Sequence, residues 1–86
     1  MRAAMITGYQ QPLDILSLPD PELPKDGIIM RVRATGVCRS DWHTWMGHYA
    51  DQIALPLIPG HEMAGDVVEV GREVSGLVPG DRVTVP

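Results

Sequence analysis

Residues 60–71 read Gly-His-Glu-Met-Ala-Gly-Asp-Val-Val-Glu-Val-Gly. Met63 to Val70 is a run of strand-forming residues between glycines, so it reads as a strand that the chain enters through Gly60, where the backbone can pass close to another group. Upstream, Ile28 to Val37 alternates. Ile28, Met30, Val32 and Ala34 form one apolar face, and Ile29, Arg31, Arg33 and Thr35 form the other. Downstream, Gly71 to Gly76 is a connection, and Val78-Pro79-Gly80-Asp81 places Pro and Gly in the two central positions that a type II turn prefers. A last strand, Arg82 to Val85, is expected to be cut off at Pro86, as in a truncated product.

The N-terminal third continues the pattern. Met1 to Thr7 reads as a strand, Gly8 to Pro12 as a turn, and Leu13 to Leu18 as the returning arm of a hairpin. Three prolines between Pro19 and Gly27 cannot donate to a ladder, which makes that stretch an extended surface connection. Nine glycines and eight prolines punctuate short runs rich in Val and Ile, so the chain is predicted to be mainly β. One helix interrupts it. Ser40 is the expected cap of a short helix through Asp41, Trp42, His43, Thr44, Trp45 and Met46, with Gly47 as its stop. On it Cys38, Trp42 and Trp45 would share one side, and Ser40 and His43 another. His48 to Gly60, with Pro56 and Pro59 and no periodicity, reads as a loop.

The chain has 86 residues, 44% of them apolar and 21% charged, which fits one small soluble domain. At this size only roughly 60–65% of the unfolded surface is buried, so stability alone is marginal. Seven basic against eleven acidic residues give a net charge of −4 with no cationic patch, which argues against nucleic acid as a partner. Thr7 and Gly8 interrupt the first apolar stretch well short of a secretory or membrane-spanning segment, so no membrane partner and a cytoplasmic location are the expectation. A single cysteine forms no internal disulfide and leaves Cys38 available for chemistry.

In Val-Cys-Arg-Ser-Asp-Trp-His, residues 37–43, a thiol, a hydroxyl, a carboxylate and an imidazole meet at a strand-to-helix junction. Taken alone, a cysteine is most often a buried small hydrophobe, and a histidine such as His61 is more often structural. A catalytic zinc takes three Cys, His or carboxylate ligands plus an open position, and Cys38, His61 and Glu62 are of those kinds. No C-x-x-C or H-x-x-x-H pair is present, so any metal site would be open or shared.

Read together and in order, C-R-S-D-W-H, then G-H-E-x-x-G-x-x-x-x-x-G, then P-G-D-R-V make Gly36 to Val85 similar to the zinc-type medium-chain dehydrogenases. The hairpin and the strand from Ile28 resemble the start of that family's barrel, related in shape to the GroES co-chaperonin. The resemblance implies a mainly β, partial GroES-like barrel with one short helix, spanning residues 1–86 of a catalytic domain. No G-x-G-x-x-G follows a strand, so the Rossmann domain for the cofactor is absent from this chain.

The resemblance further implies that Cys38 and His61 are two of three protein ligands of a catalytic Zn2+, that Glu62 sits beside the metal as an exchanging ligand or neighbour, and that the third ligand lies past Pro86. Asp41 would hydrogen-bond the ligand His61 and fix its tautomer, the alternative being a helix-capping charge. Ser40 would bond the substrate alcohol, and His43 would end the proton relay to solvent. Arg39 matches a position that contacts the cofactor pyrophosphate in some members. Trp45 would line the substrate pocket, with hydrophobic packing as its equal alternative, whereas packing is the preferred reading for Trp42. His48 is assigned to the loop surface, and Gly60, Gly65, Gly71 and Gly80 to backbone geometry.

The implied reaction is oxidation of a small alcohol to an aldehyde or ketone by hydride transfer to NAD or NADP, in a full-length enzyme that assembles as a dimer or tetramer. The isolated chain is expected to be inactive. The rival reading is a free-standing GroES-like binding module, which leaves the grouping of Cys38, Asp41, His43, His61 and Glu62 unexplained. A zinc-free quinone reductase relative is disfavoured, since those typically lack this Cys and Gly-His-Glu pair.

Overall fold

Alternating small and apolar residues on either side of a Gly- and Pro-containing turn form the N-terminal hairpin. In the computed structural model, which describes Met1 to Val85, its strands are β1 (Arg2–Met5) and β2 (Asp14–Ser17). They pair antiparallel, with Ala3 opposite Leu16 and Ala4 opposite Ile15. Pro86, at which the sequence reading closes the domain and its last strand, lies outside the described residues.

The chain divides into two compact units, Met1–Pro19 with Val37–Gly60, and Asp20–Gly36 with His61–Pro86. The first unit holds the hairpin and the helix α1 (Arg39–Met46). Ile6, fully buried, exchanges two backbone hydrogen bonds with Leu57 (2.8 and 3.1 Å), so the loop after the helix returns to the end of β1. The hairpin turn, in its turn, closes the far end of α1. Gln10 N–H donates to the Trp45 carbonyl (3.0 Å), Gln10 Nε2 to the Met46 carbonyl (3.4 Å), and Trp45 Nε1 to the Gln11 carbonyl (2.6 Å). Carbonyls of the last helical turn have no partner within a helix, and the turn supplies donors to two of them.

The second unit is an antiparallel sheet in the order β3 (Ile28–Thr35), β4 (Met63–Val70), β5 (Arg82–Thr84). β4 spans the residues that the sequence predicts. β3 and β5 stop short of Val37 and Val85. The expected apolar face of β3 is only half realised: Ile28 and Met30 are half-buried, whereas Val32 is 51% exposed and Ala34 is exposed. Register shifts at Ile29/Met30 and at Val32/Ala34 break the alternation, and the partner of Val32 is Gly65, which has no side chain to cover it. Val67 is the buried centre of this unit.

Two glycines of β4 and its exit are required by close approach. A Cβ on Gly65 would run into the Arg31 carbonyl oxygen, and one on Gly71 into the Pro24 and Lys25 carbonyl oxygens. These are backbone atoms held by ladder bonds, including Gly71 N–H to Gly27 O and Glu73 N–H to Lys25 O, both 2.8 Å. They cannot give way as a flexible side chain would. The turn at Val78–Asp81 is type II as expected, with Gly80 at φ 97°, Asp81 N–H on the Val78 carbonyl (3.1 Å) and the Asp81 carboxylate on Val78 N–H (2.9 Å). No described helix is long and apolar enough to cross a membrane.

Gly65→Ala is expected to destabilise the protein by more than about 2 kcal/mol, because the clash is with backbone. Trp45→Phe, which keeps an aromatic side chain but removes the indole donor and part of the half-buried ring, is expected to cost about 1–3 kcal/mol. Urea unfolding of the two variants against the parent checks both, and an undiminished midpoint for Gly65→Ala refutes the close-approach argument.

Candidate functional site

The Cys-Arg-Ser-Asp segment begins α1, and Cys38, not Ser40, is its N-cap (φ −98°, ψ 155°). This corrects the sequence reading, and the cause is Asp41. Its carboxylate oxygen Oδ2 reaches back three residues to accept the Cys38 N–H (3.0 Å), while its own N–H donates to the Cys38 carbonyl (3.0 Å). An acid at the third helical position bonding the cap N–H is half of a capping box, and its charge also suits the N-terminal end of the helix dipole. Ser40 is thereby drawn inside the helix, where its carbonyl accepts from the Thr44 hydroxyl (3.0 Å). Gly47 stops the helix as expected, at φ 91°.

The second oxygen of Asp41, Oδ1, accepts the Gly60 N–H at 3.0 Å. One carboxylate therefore holds the backbone at Cys38 and the backbone one residue before His61. The capping role that the sequence reading set as the alternative for Asp41 is present.

In the second unit His61 and Glu62 are both exposed and lead into β4. The Glu62 carbonyl accepts the Gly36 N–H (2.9 Å), and the flexible end of its side chain lies where a Cβ on Gly36 would point. Unlike the backbone contacts at Gly65 and Gly71, this one can give way.

The two tryptophans part company. Trp45 is half-buried with its N–H on Gln11, as packing requires, whereas Trp42 is 41% exposed and lies under the Arg39 guanidinium, 4.9 Å from its ring centroid. Trp42 also meets the His43 and His48 rings edge-on, at 5.0 and 5.5 Å. His43 is half-buried, and its Nδ1 is 2.6 Å from Nδ1 of exposed His48. Sequence reasoning left His48 on the loop surface. The available signal was the Gly47 stop: a left-handed residue there folds the next one back over the last turn, and His48 N–H duly donates to the His43 carbonyl (3.0 Å).

Thiol and imidazole are the ligand types that zinc selects, so Cys38 and His61 fit that metal in kind. A catalytic zinc takes three such ligands, of which these two are a part. Among the described residues no group of three His, Cys, Asp or Glu side chains could hold a metal ion.

Residues 24–86 match the family model described as the alcohol dehydrogenase GroES-like domain. Alcohol dehydrogenase 1 of Caenorhabditis elegans is 37% identical over 84 residues, covering 98% of this chain and 24% of that protein. An alcohol dehydrogenase of Geobacillus stearothermophilus is 38% identical over 86 residues, covering all of this chain and 26% of its own length. The crystal structure of the alcohol dehydrogenase from the archaeon Aeropyrum pernix superposes with a TM-score of 0.88 at 35% identity, over 95% of this chain and 25% of that one. The chain thus spans about a quarter of the length of these relatives. Its strands, short helix and ordered motifs agree with that match, and the chain belongs to the alcohol dehydrogenase GroES-like domain family, as an N-terminal segment of the zinc-type medium-chain dehydrogenases.

Proposed function

We propose that this segment serves a zinc-dependent, NAD- or NADP-linked alcohol dehydrogenase, in which Cys38 and His61 are two of three protein ligands of the catalytic zinc and the third lies past Pro86. Family membership supports an oxidoreductase of the alcohol and polyol dehydrogenase kind. The observation that carries the finer reading is the double acceptance by Asp41, which anchors the Cys38 N–H and the Gly60 N–H on one rigid carboxylate. Catalytic ligands need such support, because an error of a fraction of an ångström in their placement is costly.

When bound, zinc would supply Lewis-acid polarisation of the alcohol oxygen. The chain's own residues do the rest. Ser40 accepts the hydroxyl proton of the substrate, and His43, one helical turn further, passes it outward; a bound NAD or NADP would supply the hydride acceptor for oxidation to an aldehyde or ketone. Asp41, already bonded to the backbone through both oxygens, would orient the His61 ring by accepting the N–H of the ring nitrogen left over from ligation. Glu62 would stand beside the metal, its carboxylate end next to the Cα of Gly36. Arg39 offers a cation to the cofactor pyrophosphate, and Trp45 closes one side of the pocket for a small alcohol. The isolated 86-residue chain is inactive on this reading, for want of one ligand and a dinucleotide-binding unit.

In the full-length protein, Cys38→Ala and His61→Ala are each expected to lose the catalytic zinc, as read by metal analysis after dialysis. Unchanged zinc content in both refutes the ligand assignment. Asp41→Asn keeps the shape but offers one acceptor oxygen to two backbone N–H groups. It is expected to lower metal affinity or kcat/KM by about 10–100-fold and to leave a folded protein, checked by zinc titration and steady-state kinetics.

A further inference from the structure

His43 stands in the last turn of α1, and His48 follows the Gly47 stop, with their Nδ1 atoms 2.6 Å apart and their ring centroids 4.9 Å apart. Two imidazole nitrogens at that distance cannot both point lone pairs at each other, nor can both carry hydrogen. One must donate and the other accept, so a single proton lies between the two Nδ1 atoms.

From this geometry we infer that His43 and His48 act as a dyad sharing one proton, and that His48 is the residue through which a proton arriving at His43 leaves for water. The inference rests on the proposed relay through Ser40 and His43. The direction follows from exposure, since His43 is half-buried and His48 exposed. Three features keep the pair aligned. His48 N–H bonds the His43 carbonyl, Trp42 sets its edge against both rings, and the Tyr49 ring stands 6.0 Å from that of His43. The carbonyl end of α1 stabilises the positive charge that the passing proton carries. The Arg39 guanidinium, on the face of Trp42, is the cation nearest this cluster among those with a described ring contact.

The transfer conserves protons. A proton received at Nε2 of the inner ring, His43, makes that ring cationic, the proton already on its Nδ1 passes across the shared bond to His48, and His48 gives up its Nε2 proton to solvent or buffer. His48 is therefore a positioning and export residue, which never touches substrate.

Two measurements test this. In protein carrying 15N-histidine, NMR is expected to show one downfield proton coupled to the Nδ1 of both His43 and His48. Two Nδ1 signals with no shared proton overturn the dyad. In the full-length enzyme, His48→Gln is expected to lower alcohol turnover about tenfold in dilute buffer, with recovery on adding imidazole, because a mobile base replaces the lost exporter. Turnover equal to the parent, or a loss that imidazole does not restore, overturns the export role. A full-length protein with no dehydrogenase activity overturns the relay beneath it, while the NMR result still decides the dyad.

Discussion

The Asp41 carboxylate is the constraint on which the arrangement around α1 depends. It sets where the helix begins by taking the Cys38 N–H, and it fixes the end of the returning loop by taking the Gly60 N–H. Charge-assisted bonds of this type are roughly twice as strong as neutral ones, so a single side chain defines two stretches of backbone that are far apart in the chain. Both of them lead directly to a candidate ligand. The opposite end of the helix has its own closure, in which the N-terminal hairpin turn donates to the Trp45 and Met46 carbonyls. The short helix is thus held at both ends by partners outside it, which compensates for a length at which isolated helices are unstable.

Much of this was legible in the residues because it depends on local pattern. The span of β4, the hairpin, the Gly47 stop and the type II turn at Val78–Asp81 all follow from alternation or from residues with special backbone freedom. Local pattern was overruled once by a neighbour along the chain and once by a partner distant in sequence. Ser40 is the better cap by propensity, yet the reach of Asp41 moved the boundary to Cys38. Val32 belongs to the apolar set of β3 by alternation, but it lies opposite Gly65 and beside a register shift, and it ends exposed.

The candidate site divides along the same line. Cys38, Asp41, His43, His61 and Glu62 were found by motif, and motif is a statement about order along the chain. His48 belongs to no motif and was found only when the backbone turned it onto His43. Residues that act through a neighbour are found poorly from sequence, since the signal is the neighbour's position and not their own type.

The Gly-His-Glu segment and the glycines that follow it run together along the chain, but the close approach at Gly65 and Gly71 separates them into two parts with different origins. On the proposed function, His61 and Glu62 bring chemistry. Gly65 and Gly71 bring only the absence of a side chain where carbonyl oxygens of the neighbouring backbone already occupy the space. A descendant that abandoned the metal would be released from the first demand and not from the second. Drift away from catalysis would erase the histidine and the cysteine while the glycine spacing persisted, so that spacing alone marks the fold's ancestry and the intact pair marks its trade.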